Sequence, residues 1–197
     1  MQEIWYVFKD NKLLLRRSFE PRLLTSFDIE TLSGLLINEG IVVIGDRDKS
    51  KVINEFWGEM ARDATVPGNM ITVGLREVGS VLGEEVFYKA ARAFQLMKWY
   101  GHHLYCMSCG GRLKPSPSDN GKICPSCGAI FYPPVTPAVI VAVEREGKIL
   151  LARNANFPPD RYSVIAGFVE PGESFEDAVR REVKEEVSVE VDRKSVV

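Results

Sequence analysis

No run of about 18 apolar residues occurs in the 197-residue chain, so no segment reads as a membrane-spanning helix. Charge of one sign is lacking too. The chain has 25 Lys and Arg against 27 Asp and Glu, a formal net charge of −2, which excludes a generic polyanion binder relying on an overall positive field. The first twenty residues are broken by Glu3, Lys9, Asp10, Lys12, Arg16, Arg17 and Glu20, so no secretory signal is expected there. Histidine is scarce, with two residues, and cysteine is confined to four. What is there is ordinary globular material, 45% apolar and 26% charged, enough for one large domain or two small ones. The expectation is a soluble, cytoplasmic protein without membrane partners.

The four cysteines form two C-x-x-C pairs, Cys106/Cys109 and Cys124/Cys127, with fourteen residues between the pairs. Two residues between thiols let a tight turn aim both sulfurs at one ion, and Zn²⁺ prefers a tetrahedron of soft ligands. Gly110 and Gly128 suit a chain turning closely around it. Two disulfides or a redox motif are the competing readings. The first is disfavoured without secretion, and the second needs no symmetric copy. The expectation is a structural zinc ribbon. His102 and His103 precede it, but four thiolates close the coordination shell, so both are expected to be exposed or to pack.

The ribbon divides the chain into residues 1–100, 101–133 and 134–197. In the first part, Glu3–Phe8 and Lys12–Arg16 flank Asp10-Asn11 and predict a hairpin. Gly40–Gly45 and Lys51–Phe56 predict a second strand pair. Phe87, Ala90, Ala91, Phe94 and Met97 predict a helix from Gly83 to Tyr100, ended by Gly101. The Pro- and Ser-rich loop Lys114–Asn120 is expected to be exposed. In the third part, Ala138–Glu144 and Lys148–Ala152 read as paired strands about Gly147, and Ser163–Ala166 reads as a short strand.

A helix follows. Ser174 is its expected cap with Asp177 at the third position, and Phe175, Ala178, Val179 and Val183 form its apolar stripe. Glu182, Glu185 and Glu186 share another face, where their mutual repulsion is relieved by Arg181 and Lys184 or by a divalent cation. Taken alone, the helix fits a solvated acidic face and a cation site equally well.

From Gly167 through Glu173 and Arg181-Glu182-Val183-Lys184-Glu185-Glu186 to Val189, the spacing resembles the Nudix box, G-x5-E-x7-R-E-U-x-E-E-x-G-U, with U a bulky aliphatic. Ser188 stands where the second glycine belongs, a position expected to need a left-handed backbone. A four-cysteine ribbon joined to this box through Tyr132-Pro133 resembles the NADH pyrophosphatase family of Nudix hydrolases. The resemblance implies an α+β fold, with a β-rich N-terminal domain, a zinc ribbon and the first part of a Nudix α/β/α sandwich. It also implies a homodimer that splits NAD(H) into AMP and nicotinamide mononucleotide, in a family of which some members also remove an NAD cap from RNA. Catalytic Mg²⁺ or Mn²⁺ would be held by the Ala166 carbonyl, Glu182 and Glu186, with Glu185 beside them. Glu182 or a neighbouring glutamate would serve as base, and Arg181 would orient the carboxylates. Glu173 belongs to the same catalytic set, while Tyr132 and, across a gap, Arg76 match substrate contacts.

The family continues beyond its box with more sheet, a second helix, another metal-binding glutamate and a Q-P-W-P-F-P segment. Eight residues follow Val189 here, so an incomplete domain with little activity is expected. Asp192–Val197 also reads as the translation of GATCGGAAGAGCGTCGTG, a sequencing adapter, and is expected to be foreign to the native protein. Two other readings stand beside the main one. The first is a Nudix hydrolase for another nucleoside diphosphate derivative. The second is a ribbon module binding nucleic acid or protein through Arg112, Lys114 and Lys122.

Overall fold

Asp10 and Asn11 both take positive φ, 48° and 63°, the turn that matches the twist of a two-residue hairpin. The chain therefore reverses between β1 (Ile4–Lys9) and β2 (Lys12–Arg16) as expected. The computed structural model describes residues 3–41 and 55–192 and divides into two units, Met1–Pro133 and Pro134–Val197.

In the first unit, β1 is central. Besides β2 it pairs antiparallel with β3 (Leu24–Thr25) and parallel with β5 (Glu55–Met60), giving the order β4-β5-β1-β2-β6 with β4 (Leu36–Ile41) and β6 (Met70–Gly74) outermost. Of the strand pair anticipated from Gly40–Gly45 and Lys51–Phe56, only Gly40, Ile41, Glu55 and Phe56 lie among the described residues; they belong to β4 and β5, which pair antiparallel with Ile41 opposite Phe56. The rest of that expectation, including a turn at Asp46–Ser50, lies outside the described residues. Successive β1 side chains enter opposite layers, because strand side chains alternate faces. Tyr6 and Phe8 join Leu13, Leu15 and Trp57 beneath Ala90, Ala93 and Met97, whereas Val7 joins Leu14, Leu24, Leu32, Met60 and Met70.

A 3₁₀ turn (Leu75–Glu77) leads into α2 (Val78–Leu82) and the long α3 (Glu84–His102). The expected α3 stripe is broadened by Ala93, Leu96 and Trp99, all buried. Gly101 does not end this helix. It lies within the last turn, and His103 is the C-cap, because the terminal carbonyls find a partner elsewhere. Lys122 supplies it: its Nζ donates to the carbonyls of Tyr100 at 2.8 Å and His103 at 2.6 Å and sits over the Trp99 and Tyr100 rings. A cation suits a helix C-terminus, and burial holds the Lys122 pKa below its usual value. This corrects the expectation that Lys122 adds to a basic contact surface, since its residue is only 4% exposed.

α1 (Ser26–Glu30) is anchored by Asp28, which is fully buried. Burial alone pushes that carboxyl up. The Thr25 N–H and hydroxyl, with Arg22, outweigh it and hold the pKa below its ordinary value, and Arg16 stands 3.4 Å from the other oxygen. A depressed folded-state pKa adds stability that is present above the unfolded carboxyl pKa, about 3.9, and is lost as pH falls below it. Asp28→Ala is expected to cost about 2–3 kcal/mol at pH 7, from the lost cap and charge-assisted bonds. In urea titrations the gap from the unmutated chain should close as pH drops under about 4. A gap that widened on acidification would refute the assignment.

In the second unit the apolar half of the predicted long strand, β10 (Ala138–Val141), pairs with β13 (Ile165–Phe168) rather than with Lys148–Ala152. That pairing sets Val139 and Ile165, both buried, in a sheet that contacts α4 (Phe175–Val187). The polar half forms a separate hairpin, β11 (Glu144–Arg145) with β12 (Lys148–Ile149), turning at Glu146-Gly147. Ala178 and Val183 are buried on α4 as expected, but Phe175, in its first turn, is 54% exposed. No helix among the described residues is long and apolar enough to cross a membrane.

Candidate functional site

The ribbon is built on β7 (Lys114–Pro115), β8 (Lys122–Ile123) and β9 (Ile130–Phe131), joined in that order. Its two knuckles are copies of one turn. The N–H of Gly110 bonds the carbonyl of Cys106, and that of Gly128 the carbonyl of Cys124, each at 2.9 Å. Both glycines have positive φ, 73° and 76°, a conformation that a side chain would strain. The four sulfurs lie within 4.8 Å of one another. Cys106 and Cys127 are 3.7 Å apart, and Cys109 and Cys124 are 3.5 Å apart. A tetrahedron with metal–sulfur bonds of about 2.3 Å has edges of about 3.8 Å. The cluster therefore fits zinc in size, donor type and number.

The four thiols sit in unlike hydrogen-bond settings. The Cys127 N–H draws the Cys124 thiol down to about 6. The Gly111 N–H pulls Cys109 down as well, but facing Cys124 pushes it up to about 12. His102 is exposed, and His103 stacks on Trp99 with centroids 5.6 Å apart. Neither belongs to the sulfur cluster, as expected.

The carboxylate site is assembled by a turn, a strand and a helix of the second unit. Pro171-Gly172 makes the turn, with Gly172 at φ 90° and the Glu173 N–H bonded to the Glu170 carbonyl at 3.1 Å, the geometry of a type II turn. The Pro-Gly dipeptide is the sequence signal for this turn, which the strand and helix periodicities do not show. The turn aims Glu173 back at Arg181 on α4. The guanidinium grips both Glu173 oxygens, at 2.7 and 2.9 Å, and donates to the Phe168 carbonyl at 2.9 Å. This bidentate pair, with the Glu170 N–H, holds Glu173 at a pKa of about 2 and raises that of Arg181. Arg181 also reaches Glu182 at 2.8 Å and Glu185 at 3.4 Å.

Glu182 lies flat against the backbone of Gly167. A Cβ at Gly167 would overlap its carboxylate, so the glycine at the head of the box is the seat of that side chain. Ala166 immediately precedes the seat on β13. Glu186, one turn beyond Glu182, is exposed. Among the described residues its carboxylate has no hydrogen bond or ion pair, and the cysteine cluster is the one group of three or more close metal-ligand side chains. The three carboxylates thus share a helix side, but Arg181 draws in only two of them. The donors are all oxygens, the type that suits Mg²⁺ or Mn²⁺. Tyr132 and Arg76, both exposed, belong to the first unit.

Ser174 caps α4. Its hydroxyl accepts from the Asp177 N–H at 3.2 Å and donates to the Asp177 carboxylate at 2.6 Å. At the other end Ser188 has φ 56° and ψ 27°, the left-handed conformation, with its N–H on the Lys184 carbonyl at 3.0 Å. The strain expected from the missing glycine is therefore present. Ser188→Gly should stabilise this unit by about 1 kcal/mol, read as a higher urea midpoint. An unchanged or lower midpoint would refute the strain.

Comparison with known proteins places a NUDIX domain at residues 134–197 and an NADH pyrophosphatase zinc ribbon domain at residues 102–132. The chain is similar to proteins named NAD-capped RNA hydrolase NudC. The one from Deinococcus radiodurans is 36% identical over 177 residues, 87% of this chain and 61% of that protein. One from Pseudomonas fluorescens is 33% identical over 187 residues, 94% and 62%. The one from Chromobacterium violaceum is 48% identical over 102 residues, 52% and 38%. Across these three the chain spans 38% to 62% of the relative's own length.

Proposed function

We propose, from the premise that this chain belongs to the Nudix hydrolases carrying an NADH pyrophosphatase zinc ribbon, that it hydrolyses the pyrophosphate of NAD(H). The products are AMP and nicotinamide mononucleotide. NAD-capped RNA is a second substrate, in keeping with the names of its relatives. The reading is carried by one observation, the Glu182 carboxylate seated on Gly167 and held by an arginine that is itself locked to Glu173. An oxygen donor fixed on a rigid strand and helix is what divalent phosphate chemistry requires.

Mg²⁺ or Mn²⁺, when bound, neutralises phosphate oxygens and lowers the pKa of an attacking water. Glu182 and Glu186, with the Ala166 carbonyl, are its proposed ligands. Arg181 fixes the direction of Glu182, and Glu173 keeps Arg181 from swinging toward solvent. Glu185 stands beside Glu182 on the same guanidinium, and one of these glutamates takes the proton of the water. Tyr132 offers an exposed ring for a base and Arg76 a cation for phosphate. Zinc in the closed ribbon is structural and separate from this chemistry. The proposal extends to a cytoplasmic homodimer, with domain boundaries near residues 100 and 133. The test is AMP release from NADH with Mg²⁺ or Mn²⁺, on this chain and on one carried to the relatives' full length. Release should stop when EDTA removes the ion and return when the ion is restored, and release indifferent to EDTA would contradict the reading.

A further inference from the structure

The ribbon sheet has two unlike faces. Lys122 and Phe131 are opposite one another on β8 and β9 and point to the end of α3, Lys122 onto its carbonyls and Phe131 against the His103 ring. Side chains directly opposite in an antiparallel pair share a face, and the face alternates along each strand. Tyr105 is opposite Arg112 in an isolated bridge just ahead of β7, and Lys114 follows two residues on, past the buried Leu113. Lys114 is in turn opposite Ile123, and Ile123 is opposite Ile130. Tyr105, Arg112, Lys114 and Ile130 therefore share the other face. All four are exposed, Tyr105 by 61% and Ile130 by 54%. Among the described residues no ion pair forms at Arg112 or Lys114. Asp119, the one acid between residues 102 and 132, lies in the β7–β8 loop with its Oδ1 accepting from the Gly121 N–H at 2.8 Å.

We infer that this face is a docking platform for single-stranded RNA. The inference rests on the proposed action on NAD-capped RNA and names the surface that receives the RNA body. Charge complementarity selects the occupant: two unpaired cations lie on one face of a chain whose net charge is −2. The exposed aromatic ring of Tyr105, opposite Arg112, adds what an acidic peptide does not need, a flat surface on which a base stacks. Arg112 and Lys114 meet successive phosphates, while Tyr105 takes a base without regard to sequence. Lys122, buried on the opposite face, makes no contribution.

The experiment is fluorescence anisotropy of a labelled, uncapped 12-nucleotide single-stranded RNA with the full chain, which needs no turnover. Tyr105→Ala should weaken binding about tenfold or more, and Tyr105→Phe should retain it. The double variant Arg112→Ala/Lys114→Ala should flatten the dependence of log K on log salt by about 1.4, for two lost phosphate contacts. Zinc content, unchanged in each variant, shows that the ribbon is intact. In turnover assays the same variants should raise KM for NAD-capped RNA and leave KM for NADH alone. Equal RNA affinity in all variants, or an equal loss for a poly-glutamate peptide, would overturn the platform. An absence of NADH hydrolysis with RNA binding as described would instead count against the pyrophosphatase reading only.

Discussion

Glu182→Gln is expected to lower kcat for NADH hydrolysis by about a hundredfold or more with little change in KM. The substitution is nearly isosteric, so the side chain still fits the space that Gly167 leaves open. What changes is charge. Glutamine neither neutralises a divalent cation nor takes a proton from water, and Arg181 loses one of its three carboxylate partners. Glu186→Gln should have an effect of similar size, although that side chain is exposed and makes no hydrogen bond or ion pair among the described residues. Glu185→Gln separates two roles. If Glu185 is the base, the alkaline-going rise of the pH–rate profile should vanish in that variant while Mg²⁺ affinity holds. The assays belong on this chain and, in parallel, on one carried to the relatives' full length. Unchanged turnover in both the Glu182 and Glu186 variants would remove the carboxylates from the chemistry.

The second large effect concerns zinc. The chain should carry about one Zn²⁺, and Cys124→Ser should carry none, because the remaining thiols cannot close the shell. Cys124 is fully buried beside Cys106 and Leu113, so the loss also leaves a cluster of uncompensated polar sulfurs. The damage should spread along a defined route. β8 releases Lys122, the carbonyls of Tyr100 and His103 lose their donor, and the last turn of α3 frays. Hydrogen exchange should rise over the ribbon and residues 99–103, whereas β1, β2 and β5, held by their own two core layers, should stay protected. Zinc-free protein with four freely titrating thiols and an unaltered exchange pattern would contradict this.

Some of this was legible in the sequence because the signals are local. Asp10-Asn11 marks a turn by its own backbone preference, the paired knuckles mark a metal by spacing, and the α4 carboxylates fall on one side by helix geometry. Ser188 was legible in a subtler way, since a side chain standing at a glycine position announces strain. What escaped depends on long-range packing. The preference of β10 for β13 over its sequence neighbour is decided by which half of the run is apolar enough to lie in the sheet that contacts α4. Lys122 reads as a surface charge, as most lysines are, and only the end of α3 makes its burial favourable. The seat at Gly167 was named by the box, but its physical reason appears only when Glu182 is seen lying across it.

Hydrolysis of NAD in oxygen-18 water with Mg²⁺, followed by mass spectrometry of the products, bears most directly on the central claim that water is delivered to a pyrophosphate. The account predicts AMP and nicotinamide mononucleotide in equal amounts, with a single heavy oxygen in one of the two and none in the other. Release of free nicotinamide with ADP-ribose, or no cleavage by either this chain or its full-length counterpart, would contradict it.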